Sequence, residues 1–303
     1  MAADTEVDVG GRRLRLSNLD KPLYPSGFAK GQVIHYYASI APVLLPHLQD
    51  RPLTLIRYPN GVDKPGFFAK RCPPPCPSWL RTFDMVKEDD EEYPAVVADD
   101  AATLVWLANL ASIELHVPLG RAPDLEHPDG VMFDLDPGPP AGLIESARLA
   151  LHLRDLLGRL GLRAVVKTTG GKGLHVLVPL DRSDDWEHAR AFASAVAELV
   201  QRERPDDVVT VQTKAIRGGK VLVDWTQNHI AKTNVAAYSL RAKGDAPTVS
   251  TPLAWDEVEE AAEAADPELL VFGPDDVLER VREHGDLWAD ALGGEQHVPG
   301  GGR

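Results

Sequence analysis

Asp134 and Asp136 stand one residue apart in Val131-Met132-Phe133-Asp134-Leu135-Asp136-Pro137-Gly138. The run before them is apolar and reads as a strand. Strand side chains alternate between faces, so both carboxylates point the same way. Two like charges side by side repel, and a divalent cation between them is the usual remedy, which suits the pair to Mg²⁺ or Mn²⁺. Sites of that form move phosphoryl or nucleotidyl groups, with one or two ions stabilising the attacking and leaving oxygens. The competing interpretation is a strand that runs into a Pro-Gly turn with two solvated acids.

Three further features bear on that choice. The loop Lys167-Thr168-Thr169-Gly170-Gly171-Lys172-Gly173-Leu174-His175 joins two strand-like runs. Its glycines let backbone N–H groups approach an anion, Thr169 offers a hydroxyl, and Lys172 and His175 offer donors, a plausible triphosphate cradle. It is not a Walker loop, because Gly173 follows the lysine and a strand follows the loop. Read alone, a Gly-Gly-Lys-Gly hairpin is more often a turn, and His175 equally suits a half-buried structural histidine. Asp224 closes the run Val221-Leu222-Val223-Asp224-Trp225 and would complete a three-carboxylate site, although a lone strand-end acid is usually a cap. In the simplest order of strands the last runs antiparallel to the first, so a register offset or an extra strand must bring Asp224 across. Arg241, in Tyr238-Ser239-Leu240-Arg241, could clamp phosphate oxygens bidentately or pair with an acidic neighbour.

These residues need elements to carry them. A short alternating strand spans Val7 to Leu16, and helical periodicity covers about Lys30 to Leu48, with Val33, Ile34, Tyr37, Ile40 and Leu44 on one stripe. Strand-like Leu53 to Tyr58, the aromatic pair Phe67-Phe68, a buried helix Ala101 to Ala111 and a strand Ile113 to Pro118 follow. From residue 131 the order is strand 131 to 136, helix 143 to 160, strand 163 to 168, strand 174 to 180, a helix 184 to 202 capped by Ser183, and strand-like 208 to 212 and 220 to 225. That is the β-α-β-β-α-β unit of ferredoxin-like and RNA-recognition (RRM) folds. The fold class is α/β (α+β), a catalytic ferredoxin/RRM-like module of about residues 121–250 interlocked with an N-terminal α/β module of about 1–120. An acidic helical cover over 251–292 completes one domain, and 293–303 is expected to be a flexible tail.

The 303 residues are 44% apolar, enough for a proper core. No apolar run approaches the roughly 18 residues that would suggest a membrane span, and no signal pattern opens the chain, so a soluble, cytoplasmic protein is expected. Cys72 and Cys76, in Cys72-Pro73-Pro74-Pro75-Cys76, lack a second ligand pair for zinc and are expected to be free thiols in a reducing compartment. The net charge of −14 is unusual for a nucleic-acid enzyme, but residues 251–303 hold fourteen acids against three arginines, so most of the acidity is C-terminal. A second acidic stretch, Glu88-Asp89-Asp90-Glu91-Glu92, reads as a solvated loop. Nucleic-acid binding depends on local basic patches more than on the total.

From about Leu16 to Lys243 the chain resembles the polymerase domain of bacterial DNA ligase D and its stand-alone relatives, members of the archaeo-eukaryotic primase superfamily. The shared motifs are Leu19-Asp20-Lys21, Leu55-Ile56-Arg57-Tyr58-Pro59-Asn60-Gly61, Phe67-Phe68-Ala69-Lys70, Glu114-Leu115-His116, Phe133-Asp134-Leu135-Asp136-Pro137, Gly170-Gly171-Lys172-Gly173-Leu174-His175, Asp224-Trp225-Thr226-Gln227-Asn228 and Tyr238-Ser239-Leu240-Arg241. The resemblance implies a primase-polymerase fold and template-directed nucleotidyl transfer to a primer 3′-hydroxyl, with ribonucleotides often preferred and Mn²⁺ favoured. It implies a role at gaps or broken DNA ends, including non-homologous end joining. It makes Asp134, Asp136 and Asp224 ligands of two Mn²⁺ or Mg²⁺ ions. It places Thr169, Lys172, His175, Arg241, His116 and Gln227 on the incoming NTP or dNTP. Lys21 and Lys30 match lysines that receive a downstream 5′-phosphate, Phe67 and Phe68 match aromatics that stack on template bases, and Arg57 and Lys70 belong to the same DNA-binding set. Implied partners are gapped or broken-end DNA, Ku and a DNA ligase, for a monomer associated with the nucleoid. Thr169 replaces the usual serine, Ala237 replaces a common proline, and the two cysteines lie outside the pattern. Two other classes remain at this stage: a non-catalytic DNA-end bridging module, and a D-x-D glycosyltransferase.

Overall fold

The computed structural model describes residues 4–86 and 91–300. The chain folds as two compact units. The first comprises the chain up to Pro123, Val235–Ser250 and Phe272–Gly285; the second comprises Asp124–Asn234, Thr251–Val271 and the chain from Asp286. The acidic C-terminal segment is therefore divided between the units and is not one cover. Among the described residues no helix is long and apolar enough to cross a membrane.

The first unit opens with a hairpin, β1 (Thr5–Val9) and β2 (Arg12–Leu16), where the sequence suggested one strand. Gly10 and Gly11 both take positive φ and turn the chain between them. Helix α1 (Lys30–Leu48) matches its predicted span, and its start is secured by the Gln32 side chain, which accepts the Ala29 N–H at 2.8 Å. Three strands, β3 (Thr54–Arg57), β4 (Phe67–Ala69) and β7 (Ser112–Val117), lie side by side with β3 central. A second hairpin, β5 (Thr82–Val86) with β6 (Glu92–Val96), was not foreseen. Helix α2 (Ala101–Asn109) packs on α1. The expected loop at 88–92 falls largely outside the described residues; of its acids, Glu91 pairs with Arg71 at 2.6 Å and Glu92 opens β6. Cys72 and Cys76 are not free thiols but a disulfide. The loop between them turns back and leaves the two Cα atoms 5.8 Å apart, a separation that a disulfide spans.

The second unit holds β8 (Gly130–Pro137), α3 (Leu143–Arg159), β9 (Val165–Thr168), β10 (Leu174–Pro179), α4 (Trp186–Glu203), β11 (Val208–Val209) and β12 (Val221–Asp224). The sheet order is β11-β12-β8-β10-β9, with Pro252–Leu253 on the far edge. Without the two outer strands this is the ferredoxin-like order. Val131, Phe133 and Leu135 of β8 are fully buried, as are Val176 and Val178 of β10, and they form the apolar face on which α3 and α4 pack. The opposite face carries the aspartates. Helix α5 (Trp255–Ala264) covers α3, where Arg154 pairs with Glu259 at 2.7 Å and lies over the Trp255 ring.

Two expectations about this unit are corrected. Strand β11 ends at Val209 and does not run to residue 212, and it lies parallel to β12 outside the ferredoxin-like order. The segment expected to be a flexible tail is tied down over 293–300. Gln296 accepts the Arg163 N–H at 2.6 Å and donates to Arg163 and Pro179 carbonyls, while Val298 is fully buried and donates to Asp184.

Helix α4 is capped by Asp185, whose carboxylate accepts the His188 N–H at 2.8 Å; Ser183 instead donates to Asp181. Asp185→Ala is expected to cost about 1 kcal/mol of unfolding free energy, against less than about 0.5 kcal/mol for Ser183→Ala. Urea denaturation of the two variants checks the order.

Candidate active site

Strand register builds the core of the site in the second unit. Asp134 lies opposite Asp224 of β12 on one side and His175 of β10 on the other, and His175 lies opposite Lys167 of β9. Residues directly opposite in a sheet share a face, so one row crosses four strands as Asp224, Asp134, His175 and Lys167. Asp136 stands one step along β8 on the same face. The separation of strand ends anticipated for Asp224 does not occur, because β12 begins opposite Pro137 and stops opposite Asp134.

Each carboxylate has its own partners. His175 Nε2 is 3.3 Å from Asp134 Oδ1. Asp136 is bound by the Arg217 guanidinium, which also donates to its backbone carbonyl at 3.3 Å, and Lys172 Nζ lies 3.8 Å from its Oδ1. Asp224 accepts the Thr226 N–H at 3.1 Å, the Thr226 hydroxyl at 2.5 Å and Gln227 Nε2 at 2.8 Å. Gln227, expected on the nucleotide, thus orients a carboxylate here. With the acids turned to these partners, no three His, Cys, Asp or Glu side chains among the described residues are drawn together as a ligand cage. The donor set still fits a divalent cation: three carboxylates on one face, held by lysine, arginine and histidine where the sheet alone would leave them repelling each other.

The glycine loop closes against the strand that carries the acids. Thr169 N–H and hydroxyl both donate to the Gly173 carbonyl, at 2.9 and 3.1 Å, and Lys172 Nζ donates to Pro137 O at 2.8 Å. A Cβ on Gly173 would lie 2.2 Å from Leu135 O, between the two aspartates, so only glycine admits this contact. Gly138 is under the same constraint: a Cβ there would lie 2.1 Å from Arg217 O, on the loop that delivers Arg217 to Asp136.

In the first unit the hub is Glu114. It is buried, its Oε2 lies 3.0 Å from His116 Nε2, its Oε1 lies 3.5 Å from Arg241 Nε, and the Ala242 N–H donates to it at 3.0 Å. Arg241 therefore does pair with an acidic neighbour. Burial pushes the Glu114 carboxyl up, but the His116 hydrogen bond, the Arg241 charge and the Ala242 N–H outweigh it and leave the pKa below the ordinary glutamate value. Three tyrosines fix the chain that bears Arg241: Tyr24 donates to Arg241 O at 2.8 Å, Tyr36 to Tyr238 O at 2.8 Å, and Tyr37 accepts the Leu240 N–H at 3.1 Å.

The DNA-binding candidates also lie in the first unit. Lys30 is buried, with Nζ donating to Ser17, to Asn109 O and to Asn109 Oδ1; burial and then repulsion from Lys21 lower its pKa. Lys21 Nζ donates to Pro59 O at 2.6 Å. Phe67 and Phe68 are 46% and 69% exposed on β4, Arg57 lies over the Phe67 ring at 5.3 Å, and Lys70 is exposed just beyond the strand.

Residues 29–288 match the family model for the LigD primase-polymerase domain. The chain belongs to that family. It is 41% identical over 281 residues to the multifunctional non-homologous end joining protein LigD of Mycolicibacterium smegmatis, covering 91% of this chain and 36% of that protein. The LigD of Pseudomonas aeruginosa is 33% identical, with 94% of this chain and 34% of that protein covered. A solved polymerase domain of Mycobacterium tuberculosis ligase D, in complex with DNA, superposes with a TM-score of 0.85 at 37% identity, covering 92% of this chain and 98% of that one. The fold is therefore the primase-polymerase fold, and the family is one of DNA-repair nucleotidyltransferases. The chain spans about a third of the length of these multifunctional relatives.

The sequence did not single out Arg217, and Glu114, Thr226 and Asn228 stood there only as members of motifs, with no role of their own. For Glu114 a signal existed, since Glu114 and His116 alternate onto one strand face. Glu114→Gln keeps an acceptor for Ala242 but removes the charge. Because the folded pKa is lowered, the carboxylate stabilises the fold above the unfolded value near ~4.3, and this contribution is lost as pH falls through the folded pKa. The variant is expected to be less stable at pH 7 by on the order of 1–3 kcal/mol. The gap should close as pH drops below about 4. Equal gaps in urea titrations at both pH values would count against this account.

Proposed function

We propose that this domain adds ribo- or deoxyribonucleotides to a primer 3′-hydroxyl on gapped or broken-end DNA, with a downstream 5′-phosphate as a recognition element. The observation that carries the reading is the in-register row Asp224, Asp134 and His175, with Asp136 and the Lys172 loop beside it. Asp134, Asp136 and Asp224 would hold two divalent cations, Mn²⁺ or Mg²⁺, which would supply Lewis acidity toward the hydroxyl and offset charge on the departing pyrophosphate. In the second unit Thr169, Lys172 and His175 hold the nucleotide's phosphates so that the 3′-hydroxyl attacks the α-phosphorus in line. For Arg241 and His116 of the first unit the nucleotide role rests on the family resemblance alone. Glu114 keeps His116 and Arg241 oriented, and Gln227 keeps Asp224 oriented. No side-chain base is needed.

Lys21 and Lys30 suit a phosphate dianion, since burial and then the charge of Lys21 disfavour the Lys30 ammonium, and an anion beside the two would offset that repulsion. Exposed Phe67 and Phe68 give a stacking platform that reads no sequence, which suits work at arbitrary breaks, while Arg57 and Lys70 add positive charge beside it. Within a larger assembly the activity would serve end joining, with an end-binding Ku protein and a ligase as partners.

The decisive assay is extension on a one-to-few-nucleotide gap with Mn²⁺, comparing ribo- and deoxyribonucleotides with and without the 5′-phosphate. Templated addition that Asp134→Ala and Asp136→Ala reduce by at least about 10³-fold supports the reading; parental rates in those variants would sink it. Lys21→Ala and Lys30→Ala are expected to abolish the preference for phosphorylated gaps and leave extension of an unphosphorylated primer-template within about threefold. The ratio of the two substrates' rates measures this directly, and an unchanged ratio would remove both lysines from the phosphate site.

A further inference from the structure

We infer that Asn228 is a positioning residue that fixes Asp224 against Asp134, an assignment that rests on reading these acids as cation ligands. Strand β12 ends at Asp224, opposite Asp134, whereas β8 continues back to Gly130. Along an antiparallel strand the backbone groups of alternate residues face the same edge. Met132, two positions from Asp134, therefore presents its N–H and C=O to the edge that β12 no longer covers. The Asn228 carboxamide takes that place: Oδ1 accepts the Met132 N–H at 2.8 Å and Nδ2 donates to Met132 O at 2.8 Å. One side chain thus makes the two-bond pairing that a further strand residue would have made.

The second Nδ2 proton goes to Trp225 O at 2.8 Å, so the same amide is anchored to the short helical turn Trp225–Gln227. Asp224 caps that turn through Thr226 and Gln227, and Arg190 lies over the Trp225 ring. Asn228 itself is fully buried. The chemistry admits few substitutes, because the position needs one acceptor and two donors on a short side chain. Aspartate offers no donor and adds a fourth carboxylate near the three, and leucine of similar size offers neither function.

The consequence concerns ligand spacing. A strand end with no tether frays, and a frayed Asp224 must be ordered each time a cation binds. With the clamp in place the Asp224–Asp134 pair is held in register before any cation arrives. Groups that orient ligands in this way change metal affinity about 10–100-fold when removed.

The test uses binding, not turnover. Free Mn²⁺ is followed by electron paramagnetic resonance in titrations of the wild-type chain, Asp134→Ala, Asn228→Ala and Asn228→Asp, with folding of each verified by circular dichroism. The expected result is Asp134-dependent binding in the wild type and at least about tenfold weaker binding in both Asn228 variants. Wild-type affinity in a folded Asn228→Ala protein would overturn the clamp while leaving the cation site standing. Absence of Asp134-dependent binding in the wild type would overturn the site itself, and the clamp's role with it. Should the variants fail to fold, amide exchange in the wild type decides the matter. By linkage, Mg²⁺ should slow exchange of the Met132 N–H more than that of Val176 on the neighbouring strand. Equal slowing of the two would refute the coupling.

Discussion

Like charges on one face of a sheet constrain the second unit more than any other feature. Register puts Asp224 opposite Asp134, and strand alternation puts Asp136 beside it. Unit charges a few ångströms apart repel by several kcal/mol once part of the surrounding water is displaced. The chain answers with a separate partner for each acid: His175 for Asp134, Arg217 and Lys172 for Asp136, Thr226 and Gln227 for Asp224. Those partners come from β10, from the loop before β12, from the glycine loop and from the turn after β12. Compensation of the charge cluster therefore places four separate segments, and Gly138 and Gly173 are glycine because two of these segments must touch β8 backbone to backbone.

The first unit solves a smaller version of the same problem with the signs exchanged. A single buried carboxylate, Glu114, gathers a histidine and an arginine, and its lowered pKa shows that the attraction exceeds the burial penalty. Removing either partner would leave a buried charge less than fully paired, which is far costlier than never having buried it. The tyrosines of α1 and Tyr24 hold the backbone on either side of Arg241, so the guanidinium lies in place through main-chain hydrogen bonds as well as through charge. His116 and Arg241 are consequently positioned without needing a ligand to order them.

What could be read from the sequence follows from which signals are local. Alternation in β8 and the length of α1 were legible, because period-two and helical patterns depend on neighbours within a few residues. The Asp-x-Asp pair and the glycine loop were legible for the same reason. The contact between Asp224 and Asp134 depends on where β12 stops, and nothing in Val221-Leu222-Val223-Asp224 marks that register. Asn228 stood only as the last residue of the motif Asp224-Trp225-Thr226-Gln227-Asn228, and its meaning depends on Met132, 96 positions earlier. Arg217 lies in a segment without periodicity, drawn to Asp136 by the close approach at Gly138. The disulfide was not legible, because a run of three prolines favours an extended chain that would separate the two cysteines, and only the folded loop brings their Cα atoms to 5.8 Å.

The acidity of the chain has a local explanation. Asp256 and Glu257 stand in the first turn of α5, and Asp275 and Asp276 in the first turn of the helix Pro274–His284. Glu257 and Asp276 accept the N–H groups of Ala254 and Gly273, both at 2.8 Å, and Asp266 accepts that of Glu268 at 3.0 Å. Negative side chains at helix starts offset the positive end of the helix dipole and satisfy unpaired N–H groups. Glu259 is matched by Arg154. Much of the C-terminal charge is therefore committed to building helices. On the proposed reading the charge that meets a nucleic acid is that of Lys21, Lys30, Arg57 and Lys70, four cations in a different part of the sequence. Each phosphate contact releases roughly one counterion, so a set this small implies affinity that falls only moderately with salt. On that reading recognition also draws on the exposed Phe67 and Phe68 rings and on the terminal phosphate, as well as on the charge of the DNA backbone.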